Sequence, residues 1–110
     1  MGTLQRMFST EPKDGIGQAI VTVTTTAQTL VELLTAASAL SNNIPTQTTV
    51  VAVQPRGGDI RYTDDGQTPV TGATGLGLDL FDGDTLFTGC ARDLKLIASA
   101  STTVALAFYE

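Results

Sequence analysis

Residues 48–69 read Thr48-Thr-Val-Val-Ala-Val-Gln-Pro55-Arg-Gly-Gly-Asp-Ile60-Arg-Tyr-Thr-Asp-Asp65-Gly-Gln-Thr-Pro69. An alternating run containing Val51 and Val53 stops at Pro55, and a second run, Ile60 to Thr63, stops at Asp64-Asp65-Gly66. Pro, Gly-Gly and Asp-Asp-Gly are strong turn formers, so the stretch predicts two strands joined by a tight loop, a hairpin. Strand alternation puts Asp59, Arg61 and Thr63 on one face and Ile60 and Tyr62 on the other. An Arg set among acidic neighbours is expected to form a local ion pair that fixes the Asp64-Asp65-Gly66 turn.

The same short-strand grammar runs outward in both directions. Val21 and Val23 share a face in the segment 19–26. Leu78 and Leu80 precede the turn Asp82-Gly83-Asp84, which leads into Thr85-Leu86-Phe87. The last two strands run from Leu94 to Ala98 and from Thr103 to Tyr109, with Val104, Leu106 and Phe108 on one side of the second. Residues 30–40 fit a helical stripe as well as a strand; the reading adopted is strand to about Leu34, then a short helix or turn over 35–41. About eight short strands with frequent turns predict an all-β domain, an antiparallel β-sandwich over residues 19–110. Its expected core is Val21, Val23, Val51, Val53, Ile60, Leu80, Leu86, Leu96, Val104, Leu106 and Phe108.

Composition agrees. The 110 residues are 42% hydrophobic and only 15% charged, with 19 Thr and 11 Gly, which favours strands and turns in one domain. So few charges also predict a surface partly covered by neighbouring chains. Net charge is −5, and the six basic residues are scattered, so no basic stripe exists to displace counterions from nucleic acid. No apolar stretch approaches the roughly 20 residues that cross a bilayer, and no membrane contact is expected. A single Cys90 rules out an internal disulfide and agrees with assembly in a reducing cytoplasm.

Residues 1–18 hold two of the basic residues, both Met and Pro12, with no sustained period. They predict an extended N-terminal arm that anchors to a neighbour: Leu4, Met7, Phe8 and Ile16 for apolar grooves, Arg6 and Lys13 for acidic groups. The competing expectation is an arm folded back along its own domain.

The chemistry of catalysis is thin. No His is present, and no Ser or Cys has a base near it in sequence. Cys90 is expected to be a buried, inert thiol at the end of an apolar strand. The Asp-Gly clusters at 64–66 and 79–84 lack calcium-loop spacing and read as turn chemistry. Gly15-Ile-Gly17-Gln lacks the third glycine and preceding strand of a dinucleotide loop. The expectation is a non-enzyme with no cofactor and no metal.

Beyond the run Arg61-Tyr-Thr-Asp-Asp-Gly-x-x-Pro69, the chain continues with Thr71-Gly-Ala-Thr-Gly75, Leu86-Phe-Thr-Gly89, Asp93-Leu-Lys-Leu-Ile-Ala98 and Val104-Ala-Leu-Ala-Phe-Tyr109. In residue types and order, residues 19–110 resemble a family of small structural proteins of tailed-bacteriophage virions with β-sandwich or jelly-roll folds. The resemblance implies a jelly-roll virion component assembled in the host cytoplasm. Within that class it implies a capsid decoration (cement) protein on the capsid exterior, bound to the major capsid protein. A head–tail connector or tail accessory protein is the alternative. Lattice symmetry further implies self-association, as a homotrimer or another small ring. A carbohydrate-binding module is disfavoured by the absence of Trp and the presence of only two Tyr.

Overall fold

The structure, a computed structural model, describes residues 14–110. Among the described residues, eight strands form two antiparallel sheets. The first sheet has the order β1 (Gly15–Val23), β8 (Thr102–Tyr109), β3 (Val50–Arg56), β6 (Leu86–Thr88). The second has β2 (Gln28–Thr29), β7 (Lys95–Ile97), β4 (Ile60–Thr63), β5 (Leu78–Leu80). The fold is therefore all-β but for α1 (Leu30–Ala37) and a 3₁₀ turn at Leu40–Asn42.

Pairing follows a simple rule: β1 pairs with β8, β2 with β7, β3 with β6 and β4 with β5. The chain thus runs as one long hairpin, with the 64–77 loop at its tip. Two further pairings, β3 with β8 and β4 with β7, zip this hairpin sideways into sheets. The predicted β3–β4 hairpin is corrected accordingly. Both strands exist, but β3 lies in the first sheet and β4 in the second, so residues 57–59 carry the chain from one sheet to the other. Turn residues mark a change of direction; they do not decide whether the flanking strands pair or part.

One apolar core unites the two sheets. Val21, Val23, Val51, Val53, Val104, Leu106 and Phe108 point inward from the first sheet, and Ile60, Leu80 and Leu96 from the second. All expected core residues are buried except Leu86, which is partly buried and packs against the cluster. Each such side chain contributes about 1.5–3 kcal/mol on burial, so the alternation itself holds the sheets together.

The reading of a strand to Leu34 is also corrected. Residues 30–37 are helical, with Leu30, Leu33 and Leu34 buried on one stripe. Thr29 starts the helix through a capping box: Glu32 N–H donates to Thr29 Oγ1 at 3.2 Å, and Thr29 N–H donates to Glu32 Oε1 at 2.9 Å. The helix ends where Ser38 turns left-handed at φ 53° and its N–H donates to Thr35 O. At the other end of the domain boundary, β1 starts at Gly15, four residues before the expected first strand position.

Candidate binding surface

The tip loop is built on Arg61. Strand register sets Arg61 of β4 opposite Asp79 of β5 and Ile97 of β7, all on the outward face of the second sheet. Arg61 Nε donates to Asp79 Oδ1 at 2.8 Å. Its Nη1 donates to Val70 O at 2.7 Å, Gly72 O at 2.5 Å and Gly75 O at 3.3 Å. The guanidinium therefore ties three carbonyls of the loop down onto the sheet. With the loop in place, the Arg61 side chain is only 15% exposed, and outward-facing Ile97 is buried.

This fold-over leaves no room for side chains at two glycines. A Cβ on Gly75 would stand 1.9 Å from Val70 O, and Gly77 has φ +119° with Arg61 Cγ 2.8 Å from its would-be Cβ. Val70 N–H donates to Leu76 O at 3.0 Å, closing the loop on itself. Its first half is held separately. Thr63 Oγ1 donates to Gln67 O, and Gly66 N–H donates to Asp93 O at 3.1 Å. Asp65 accepts from the Gln67 side-chain amide and from Gln67 N–H, and these bonds hold its carboxyl below the usual carboxylate range.

A second set of bonds fixes the base of β5. Asp82 Oδ1 accepts from Gly57 N–H at 2.9 Å, while Asp82 N–H donates to Asp59 Oδ1 at 2.8 Å. Gly83 N–H donates to Pro55 O at 2.9 Å. The carboxylates of Asp59 and Asp82 thus clamp the β3–β4 connection to the β5–β6 turn, which is structural work.

The clamped segment carries the exposed apolar residues. Among the described residues, the large hydrophobics most open to solvent are Ile20, Val70, Leu76, Leu78 and Phe81. Four of these five lie within residues 70–81, with Leu78 65% and Phe81 56% exposed. Phe81 borders a shallow depression floored by Arg61, Asp79 and Gly72, and Leu76 and Leu78 border another beside Tyr62. Exposed apolar side chains on a pinned frame, with Asp64, Asp65, Asp82 and Asp84 exposed in the neighbouring turns, make this segment the candidate for docking.

Leu4, Arg6, Met7, Phe8 and Lys13 lie outside the described residues. Ile16 sits on β1, partly buried against the domain's own core. Arg61 is structural, as expected, but its carboxylate is Asp79, not an acid of the 64–66 turn, and it secures residues 70–75 instead. The separation of 18 residues between Arg61 and Asp79 is bridged only by β4–β5 register. Cys90 is a further correction: it is exposed, in the connection after β6, since the strand ends at Thr88 before reaching it. Val70, Leu76, Leu78 and Phe81 were not singled out from sequence. The signal available was a set of apolar residues in and beside a run carrying Gly72, Gly75 and Gly77, three glycines that a core strand would lack.

Among the described residues, no group of three His, Cys, Asp or Glu is placed to hold a metal ion, and no helix is long and apolar enough to cross a membrane. In comparisons with known proteins, no family model, curated protein or solved structure matches this chain.

Proposed function

We propose that the chain is a jelly-roll structural protein of a tailed-phage virion, binding the outer surface of the major capsid protein lattice as a decoration (cement) protein. The pairing of strands first with last, inward to the β4–β5 tip, supports the jelly-roll reading, because wrapping one long hairpin generates two interleaved four-stranded sheets. The observation that carries the binding role is the tip segment. A guanidinium spent on three loop carbonyls, and glycines with no space for a Cβ, hold Val70, Leu76, Leu78 and Phe81 in one conformation facing water. Rigid apolar surface loses little entropy on docking, which suits attachment in many copies to a repeating shell. The N-terminal residues, with Leu4, Arg6, Met7, Phe8 and Lys13, supply a second contact with the shell. On this reading the protein also associates with further copies of itself, as a homotrimer or another small ring.

The test mixes the full chain with purified empty heads and separately with tails, followed by sedimentation. Co-sedimentation with heads at many copies per head is expected. Leu78→Asp and Phe81→Asp should each weaken it at least tenfold, as truncation of a central apolar anchor does. Recovery with tails moves the protein to the connector or tail-accessory class, and recovery with neither sinks the virion reading.

A further inference from the structure

Residues 1–13 differ in charge from the domain that follows them. They carry Arg6 and Lys13 against Glu11, whereas residues 14–110 carry ten carboxylates against four basic side chains. Their large apolar residues, Leu4, Met7 and Phe8, cluster around Arg6. A basic, apolar segment tethered to an acidic domain with exposed apolar side chains has its complement close at hand.

A series of contacts fixes where that tether starts and what lies beside it. Glu110 N–H donates to Asp14 O at 2.9 Å, and Thr49 N–H donates to Tyr109 O at 2.8 Å. Thr48, next to Thr49, borders one shallow depression together with Arg92 and Asp93. Gly66 N–H donates to Asp93 O at 3.1 Å, and the adjoining Asp64 and Asp65 border the depression of Tyr62, Leu76 and Leu78. These groups share one end of the sandwich and run outward from Asp14 as Arg92, then Asp64, then Leu78. Arg92 and Asp64 are exposed, and neither has an ion-pair partner among the described residues.

Residues 1–13, followed backward from Asp14, present complementary groups in the same order: Glu11, then Phe8, Met7 and Arg6, then Leu4. Glu11 is three residues from Asp14, about 10 Å of extended chain, and two strand spacings from β1 to β3 are also about 10 Å. Arg6 is eight residues away, about 26–29 Å of extended chain. That covers the same step and the further distance of about 10 Å between sheets, from β3 to β4, each third in its own sheet.

We propose that residues 1–13 bind back across this end of their own domain, with Glu11 at Arg92, Arg6 at Asp64, and Leu4, Met7 and Phe8 over the depression of Tyr62, Leu76 and Leu78. Each surface ion pair is weak by itself. A short tether raises the effective concentration of the segment to the millimolar range, so weak contacts acting together suffice. Resting on the reading of the tip segment as the docking surface, this contact covers part of that surface in the free protein. On the shell the segment gives way, and residues 1–13 take up their own contact there.

Paramagnetic relaxation in the full chain tests this, with a nitroxide on Thr3→Cys after Cys90→Ser, a change at an exposed side chain. Amides of Leu76 and Leu78 should broaden, while those of residues 99–101, at the opposite end of the sandwich, stay sharp. Arg6→Asp should lower the ratio of bound to free segment about threefold, as should Asp64→Arg, and the two together should recover it. Glu11→Arg and Arg92→Glu should behave in the same way. Failure of either combined variant to recover overturns the proposed path, and broadening centred on Ile20 overturns the site. Broadening of an isotope-labelled chain by a separate spin-labelled one moves the contact to a neighbouring copy and overturns binding within one chain. Head binding by a protein without the broadening keeps the virion reading and removes this contact. Broadening in a protein that no head captures keeps the contact and removes the virion reading.

Discussion

Arg61 is the residue on which the tip segment depends, because one guanidinium nitrogen serves three of its backbone carbonyls at once. Arg61→Ala is expected to destabilise the domain by about 1–3 kcal/mol, the range for charge-assisted bonds lost at a site shielded from water. Lysine should not rescue it, since a single ammonium cannot hold Asp79 and the loop carbonyls in a planar fork. Urea denaturation gives the magnitude, and faster amide exchange at Val70 and Gly75 would localise it. A loop that exchanges normally in Arg61→Ala would show that the glycines alone set its conformation. Asp65 offers a second residue-scale test. Its lowered carboxyl means the Gln67 contacts favour folding above the ordinary carboxylate range, and that contribution is lost as pH falls through the lowered value. In Gln67→Ala the Asp65 carbon-detected NMR titration midpoint should rise toward that of a free Asp. An unmoved midpoint would assign the shift to something other than Gln67.

Among the elements, α1 and the tip loop show how differently local signals travel. Thr29-Leu-Val-Glu32 is a capping box legible in the sequence, followed by apolar residues at helical spacing. The density of Leu and Val in the same stretch suits a strand equally, and only docking of the Leu30, Leu33 and Leu34 stripe onto the core decides for helix. Thr29→Ala should cost about 0.5–2 kcal/mol in chemical denaturation, as loss of an N-cap does; no measurable change would mean that core packing alone secures the helix start. The tip loop is less forgiving. Gly75→Ala drives a methyl group into Val70 O, so the loop must rebuild. Amide exchange over residues 70–77 should rise sharply, with strand protection in β8 retained. Wild-type protection in the loop would contradict the close approach.

For the molecule as a whole, the long-hairpin path gives β1 a structural duty. Gly15 and Gly17 pair with Tyr109 and Phe108, and Ile16 packs on the core. An arm boundary after residue 18 therefore cuts into the first sheet. Deleting residues 2–13 should leave the melting transition within a few degrees of wild type, whereas deleting 2–17 should lower it markedly by removing one end of the β1–β8 ladder. Equal melting of the two truncations would show that the first turn of β1 contributes nothing. Head binding by the shorter truncation separately measures what the N-terminal residues add to the tip segment.

The alternation of Val51-Ala-Val53 and Val104-Ala-Leu-Ala-Phe108 determined by itself that the chain is built of half-buried strands, and which side chains are inside. A period of two leaves only one face to bury. The Pro, Gly and Asp clusters likewise determined where the strands stop. Which strand lies beside which was decided only in three dimensions. Pairing partners such as β1 and β8 are separated by nearly the whole chain, and the cost of closing that loop is met by the shared core, not by any local preference. The tip segment belongs to the same level. Arg61, Asp79 and the carbonyls of residues 70–75 converge because β4 and β5 pair in one register, and no spacing along the chain carries that register.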